Sequence, residues 1–170
     1  MPRNTSKKAG KILPALFRLL GTLLIIAVIV LLLPFVLPRF LGLDTYRIVS
    51  GSMEPRIPVG SMVLVEPVLG KDMTEGEVMA FYRNGTIVVH RVLENNTLEG
   101  MISTKGDAND TEDLQEVSYP EVIGRVKASY PYMGDIAAYL TTVYGKVYLL
   151  AVIACGAMCY ILAGRLEDPE

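Results

Sequence analysis

The sequence predicts a mainly β fold: a small β-rich domain held between two membrane-spanning α-helices. Three observations lead there. The 170 residues are 51% hydrophobic and 20% charged, with a mean hydropathy of +0.38. That is too apolar for an ordinary soluble domain and too charged for a chain that lies in lipid throughout. Two long uncharged runs stand toward its two ends. Between them, short runs rich in Val, Ile, Tyr and Phe alternate with Gly, Pro, Asn and Asp, the pattern of strands and turns.

The first run, Leu19 to Leu37, is 19 residues without a charge. At about 1.5 Å per residue such a helix is roughly 28 Å long, close to the thickness of the hydrocarbon layer. It is longer than the apolar core of a cleaved leader, and Pro34-Phe35-Val36-Leu37-Pro38 is no small-residue cleavage site; it reads as an uncleaved anchor. The second run, Val147 to Gly164, lies between Lys146 and Arg165 and is richer in small residues, Ala151, Ala154, Cys155, Gly156 and Ala157, which permit close helix approach in lipid. Cys155 and Cys159 share a helix face as packing residues. Arg3, Lys7, Lys8, Lys11 and Arg18 precede the first span, so both termini are expected in the cytoplasm. The expected organisation is a basic cytoplasmic segment 1–11, an anchor 12–41, an extracytoplasmic or lumenal β-rich domain 42–142, a second span 143–164 and a cytoplasmic tail 165–170, in the cell membrane or the ER membrane.

Within the central segment, "SMVLVEP", "EVMAFYR", "TIVVHRVLE" and "EVIGRVKASY" read as strands. Asn84-Gly85 between two of them favours the left-handed backbone of a two-residue hairpin. No useful helical period appears here, and there are no internal repeats.

Composition also excludes. A net charge of -2 leaves no footprint for nucleic acid. The absence of Cys and His clusters argues against zinc or iron–sulfur sites, and the middle of the chain has no cysteine to form a disulfide. No cofactor is implied. Asn84, Asn95 and Asn109 each begin an N-x-T sequon, read here as chance.

Three stretches carry residues suited to chemistry. "SGSMEP" (Ser50 to Pro55) presents two hydroxyls on a glycine-flexed turn soon after the anchor. A serine is a weak nucleophile until a base takes its proton, and His90, in "TIVVHRVLE", is the only imidazole in the chain. By period-2 alternation His90 shares a strand face with Val88 and Val92, while Val89 and Arg91 face the other way. "TKGDANDTEDLQ" holds Asp107, Asp110, Glu112 and Asp113. One of these carboxylates can accept the imidazole N–H and set its tautomer. As a calcium loop the stretch lacks the central glycine and distal glutamate.

In this order and spacing, "SGSMEP", "VVHRVLE" and "TKGDAND" resemble the boxes of signal peptidase I over roughly residues 15 to 130. In the common bacterial enzymes a lysine stands before "RV"; here it is His90, similar to the branch found in archaea, in the eukaryotic ER complex and in some spore-forming bacteria. A lysine base needs a strongly depressed pKa, whereas a histidine needs little tuning near neutral pH. The resemblance implies a small signal-peptidase-like catalytic domain and a membrane-bound serine endopeptidase that cleaves signal peptides from exported preproteins. It implies Ser52 as nucleophile, His90 as general base and Asp113 as the orienting carboxylate. Asp107 matches a nearby aspartate of less settled role, and Asp110 competes with Asp113. Ser50 would form the oxyanion hole with the backbone N–H of Ser52. Met53 and Pro55 would shape the turn, with Met53 toward the membrane surface.

Ser52 follows Leu37 by 15 residues, a connection too short to carry the nucleophile far from the anchor. The implied partners are membrane lipid, preproteins with small residues before the cut, bound extended along a strand edge, and a Sec translocon nearby. Two other readings stay open: a related enzyme dedicated to a few exported substrates, and a non-catalytic two-span protein whose β domain binds a partner.

Overall fold

The computed structural model describes the backbone of residues 5–167 and the side chains of residues 12–167. Arg3 and the last three residues of the tail lie outside the described residues, as do the side chains of Lys7, Lys8 and Lys11. The chain divides into a helical unit, residues 1–34 with 139–170, and a β unit, residues 35–138.

The helical unit is built from α1 (Thr5–Phe40) and a long C-terminal helix (Val143–Glu167). Both are long and apolar enough to cross a membrane, and only 11% of the apolar window in each is buried inside the protein. A core helix of a soluble protein would be covered; these present Leu, Ile and Val outward, as lipid-facing surfaces do. Their contact is made by small residues. A Cβ on Gly21 would fall 2.9 Å from the carbonyl of Gly156, so only glycine allows the backbones so near. Beside it, the hydroxyls of Thr22 and Tyr160 are 2.6 Å apart, and Arg18 pairs with Glu167. Of the two cysteines, Cys159 is buried and Cys155 exposed, so only one has the packing role expected of both.

The β unit is a seven-stranded antiparallel sheet: β1 (Asp44–Arg47), β2 (Met62–Pro67), β3 (Val78–Arg83), β4 (Thr86–Asn96), β5 (Met101–Lys105), β6 (Val117–Ser118) and β7 (Val122–Tyr130), in spatial order β1-β2-β7-β3-β4-β5-β6. β3 and β4 form the hairpin that Asn84-Gly85 predicts: Arg83 faces Thr86, and φ is 50° at Asn84 and 77° at Gly85. The runs "VMAF" and "VV" (Val88–Val89) are continuously apolar because both sheet faces are covered there. Ala80 and Val89 enter one core with Ile48, Met53, Ile57, Val63 and Val65. Phe81, Met79 and Val92 enter the other with Met73, Ile102 and Val117.

β5 and β6 are not foreseen in the sequence; "MISTK" is short and half polar, and β6 is two residues long. A second helix, α2 (Met133–Thr141), also stands where no helix is expected. Nine residues give too little span for a period to show. The long C-terminal helix is therefore α3.

At Gly124 the neighbouring strand backbone approaches closely. This glycine lies opposite Pro67 of β2 and Ala80 of β3, and a Cβ there would sit 2.1 Å from the carbonyl oxygen of Glu66. The obstacle is backbone, so relief requires the strands to part. Gly124→Ala is expected to destabilise the domain by about 2–4 kcal/mol, seen as a lowered thermal midpoint of the full chain in detergent micelles; an unchanged midpoint would show that the bulge beside it absorbs the methyl.

Candidate active site

The serine turn is anchored by its apolar neighbours. Ile48, Met53 and Ile57 are each under 8% exposed and belong to the core that holds Val63 and Val65. Met53 is therefore a core anchor, not a residue at the surface; a long unbranched side chain reaches inward from a tight turn. The turn closes with Glu54 N–H donating to Gly51 O and Ile57 N–H to Met53 O, and its ends are joined by Gly60 N–H to Ile48 O. Ser50 Oγ and Ser52 Oγ lie 3.5 Å apart on it.

The "TKGD" loop packs directly on this turn. The Ala108 N–H donates to the Ser52 carbonyl at 2.9 Å, and a Cβ on Gly106 would come within 2.6 Å of that same oxygen. Gly106 is thus required by close approach to the serine.

β4 distributes the aspartates. Successive side chains of a strand point to opposite faces, and His90 and Arg91 are neighbours. His90 Nδ1 lies 2.6 Å from Asp113 Oδ2. Arg91 takes Asp107 instead, by Nε at 2.7 Å and Nη2 at 2.5 Å, and gives Nη1 to the carbonyl of Gly76. The side-chain hydrogen bonds that Arg91 donates to Asp107 raise the Arg91 pKa. Asp107, whose role the resemblance leaves less settled, is engaged by Arg91 in a bidentate ion pair. Asp110 meets Lys105 through its backbone carbonyl.

Asp113 Oδ2 also accepts from Thr104 Oγ1 at 2.6 Å and from Arg83 Nη1 at 3.3 Å, and the Asp113 N–H donates to the Thr104 carbonyl. Burial disfavours the charged carboxylate, but the hydrogen bonds from Thr104 and His90 and the charges of His90 and Arg83 outweigh it and hold the Asp113 pKa below the ordinary range. With Nδ1 donating to that carboxylate, Nε2 is the basic nitrogen of the neutral ring. Ser50, Ser52 and His90 line one open cleft of about 760 Å³, walled by Ile48, Val88 and Val89.

Arg83, Thr104 and Arg91 had no role in the sequence reading. Arg91 is flagged by alternation alone, since it opposes His90. Thr104 stands two residues before the glycine of its loop, but nothing local says that its hydroxyl turns toward Asp113.

Because its folded pKa is depressed, Asp113 contributes stability that is whole above the unfolded carboxylate value of about 4 and is lost as pH falls through the folded value. Asp113→Asn removes that contribution. The melting-midpoint gap between parent and Asp113→Asn is expected to narrow steadily from pH 5 to pH 3; a constant gap would contradict the assignment.

No family model matches the chain. Among curated proteins, signal peptidase I W of Bacillus subtilis (strain 168) is 35% identical over 86 residues, 48% of this chain and 45% of that protein. The signal peptidase complex catalytic subunit SEC11C of Rattus norvegicus is 28% identical over 130 residues, 69% of this chain and 66% of that protein. Its Homo sapiens counterpart is 27% identical over 130 residues, with the same coverage. The matches thus span about half to two thirds of the relatives' own lengths. A bacterial signal peptidase and a mammalian signal peptidase catalytic subunit are both similar to this chain, at modest identity.

Proposed function

We propose that the chain is a membrane-bound serine endopeptidase that removes N-terminal signal peptides from exported preproteins. The observation that supports this reading is that the Ser50–Ser52 turn and His90 of β4 line one cleft, while Asp113 of the following loop bonds the His90 ring through Nδ1. The similarity to two kinds of signal peptidase supports the same reaction.

In this reading the Ser52 hydroxyl attacks the scissile carbonyl while His90 Nε2 takes its proton. Asp113 holds the ring by Nδ1 and stabilises the imidazolium. The tetrahedral oxyanion receives hydrogen bonds from the Ser50 hydroxyl and the Ser52 N–H, donors worth roughly 3–4 kcal/mol each. Collapse breaks the C–N bond, and His90 returns the proton to the leaving amine. Water, deprotonated by the same imidazole, then cleaves the acyl-serine. Asp107 acts at a distance: paired with Arg91, it steadies the loop whose Gly106 and Ala108 touch Ser52.

The two spans are oriented with both termini in the cytoplasm, as Arg3, Lys7, Lys8, Lys11 and Arg18 favour, so that the β domain lies on the extracytoplasmic or lumenal side. The 15-residue path from Leu37 to Ser52 keeps the nucleophile beside the lipid where a signal peptide's apolar segment rests. Membrane lipid and a Sec translocon are the expected surroundings. The preprotein lies extended along the cleft, its small side chains facing Ile48, Val88 and Val89.

Cleavage of a preprotein by purified full-length protein in membranes tests this. Ser52→Ala and His90→Ala are each expected to lower the rate by about 10³-fold or more with an intact fold by circular dichroism. Asp113→Asn should cost a similar order, and Asp107→Ala should act mainly by loosening the fold. A His90→Ala protein cutting at the parent rate would sink the proposal.

A further inference from the structure

Asp113 has a guanidinium beside it that plays no part in the proposed reaction. Arg83 ends β3 at the base of the β3–β4 hairpin, opposite Thr86. Its guanidinium lies 4.9 Å from the centroid of the Phe81 ring. Nη2 donates to the Gln115 carbonyl at 2.5 Å, and Nη1 reaches Asp113 Oδ2 at 3.3 Å. The side chains of Arg83 and Asp113 are 22% and 8% exposed, so solvent screens this contact only in part. Phe81, wholly buried, stands edge-on to the His90 ring at 6.2 Å and 69°. Arg83 and His90 therefore approach the same carboxylate oxygen, and both pack against Phe81.

We propose that Arg83 is a positioning residue: its fork clamps the Asp113–Gln115 loop at two points and so fixes the Asp113 oxygen that it shares with the imidazole. This rests on the reading of His90 as the base. A planar guanidinium makes both contacts at once, and a lysine ammonium does not reproduce that geometry. The charged groups in this neighbourhood are Asp113 from the loop, Arg83 from β3 and, farther along the Arg83 field, Glu121 in the turn before β7. Thr104 of β5 is uncharged, and Arg91 and Asp107 pair with each other. With Arg83 absent, the carboxylate is left to the imidazole alone, which strengthens the imidazolium–carboxylate pair.

His90 is the only histidine of the chain, so with a histidine-free tag the imidazole C–H resonance of the full chain in detergent micelles reports it without assignment. Parent, Arg83→Met, Arg83→Gln, Arg83→Lys, Asp113→Asn and the Arg83→Met/Asp113→Asn double variant are compared by that resonance against pH and by kcat/KM against pH on a preprotein. Both neutral variants are expected to lose about tenfold in rate. The acid limb and the resonance midpoint should move to higher pH together by about half to one unit. Arg83→Lys should keep both near the parent's, and the shift should largely vanish in the Asp113→Asn background. A rate loss with an unmoved limb and resonance would mean a merely structural arginine and overturn the proposal, as would no change at all. An inactive parent indistinguishable from Ser52→Ala would instead sink the peptidase reading, while the resonance would still judge Arg83. Should Arg83→Met fail to fold, Arg83→Gln carries the same comparison.

Discussion

The hydrogen bond between His90 Nδ1 and Asp113 Oδ2 organises the domain around it. It joins a strand in the middle of the sheet to a loop with little regular structure of its own, and it does so in a largely buried place. A carboxylate taken out of water is costly unless its lone pairs are satisfied. Here Thr104 and Arg83 share that task with the histidine. The hydroxyl comes from β5 and the guanidinium from β3, so one carboxylate ties together three elements that the sheet order already brings close.

The serine side is held by backbone. Ser52 sits on a turn whose apolar residues plunge into one core, and the carbonyl of Ser52 is capped by the N–H of Ala108. Gly106 makes that approach possible, since any side chain there would strike the serine's own carbonyl. The result is a short loop positioned by a core below, a second loop above and a strand alongside. Rigid support of this kind is what a group must have if its reactivity depends on placement within fractions of an ångström.

Much of the fold was legible because its signals are local. A span is a run of uncharged residues, and four strands announced themselves as β-branched and aromatic runs ending at Gly, Pro or Asn. Asn84-Gly85 specified a hairpin by backbone preference alone. What escaped notice was too short or too mixed for any period: β5, β6 and the nine-residue α2. The continuous apolar stretches of β3 and β4 reflect burial on both faces, which alternation arguments do not anticipate.

From the sequence alone come the membrane-spanning lengths, the strand-rich middle, and the three stretches that resemble signal peptidase boxes. Each depends on residues adjacent along the chain. Only the tertiary structure decides which aspartate meets the histidine, because Asp107, Asp110 and Asp113 differ by a few positions on one loop while His90 and Arg91 point to opposite faces of a strand. The pairing of Asp113 with His90 and of Asp107 with Arg91 follows from the path of that loop across β4, a matter of non-local geometry. Thr104 and Arg83 entered the site for the same reason: the partner that gives each its role lies on another element.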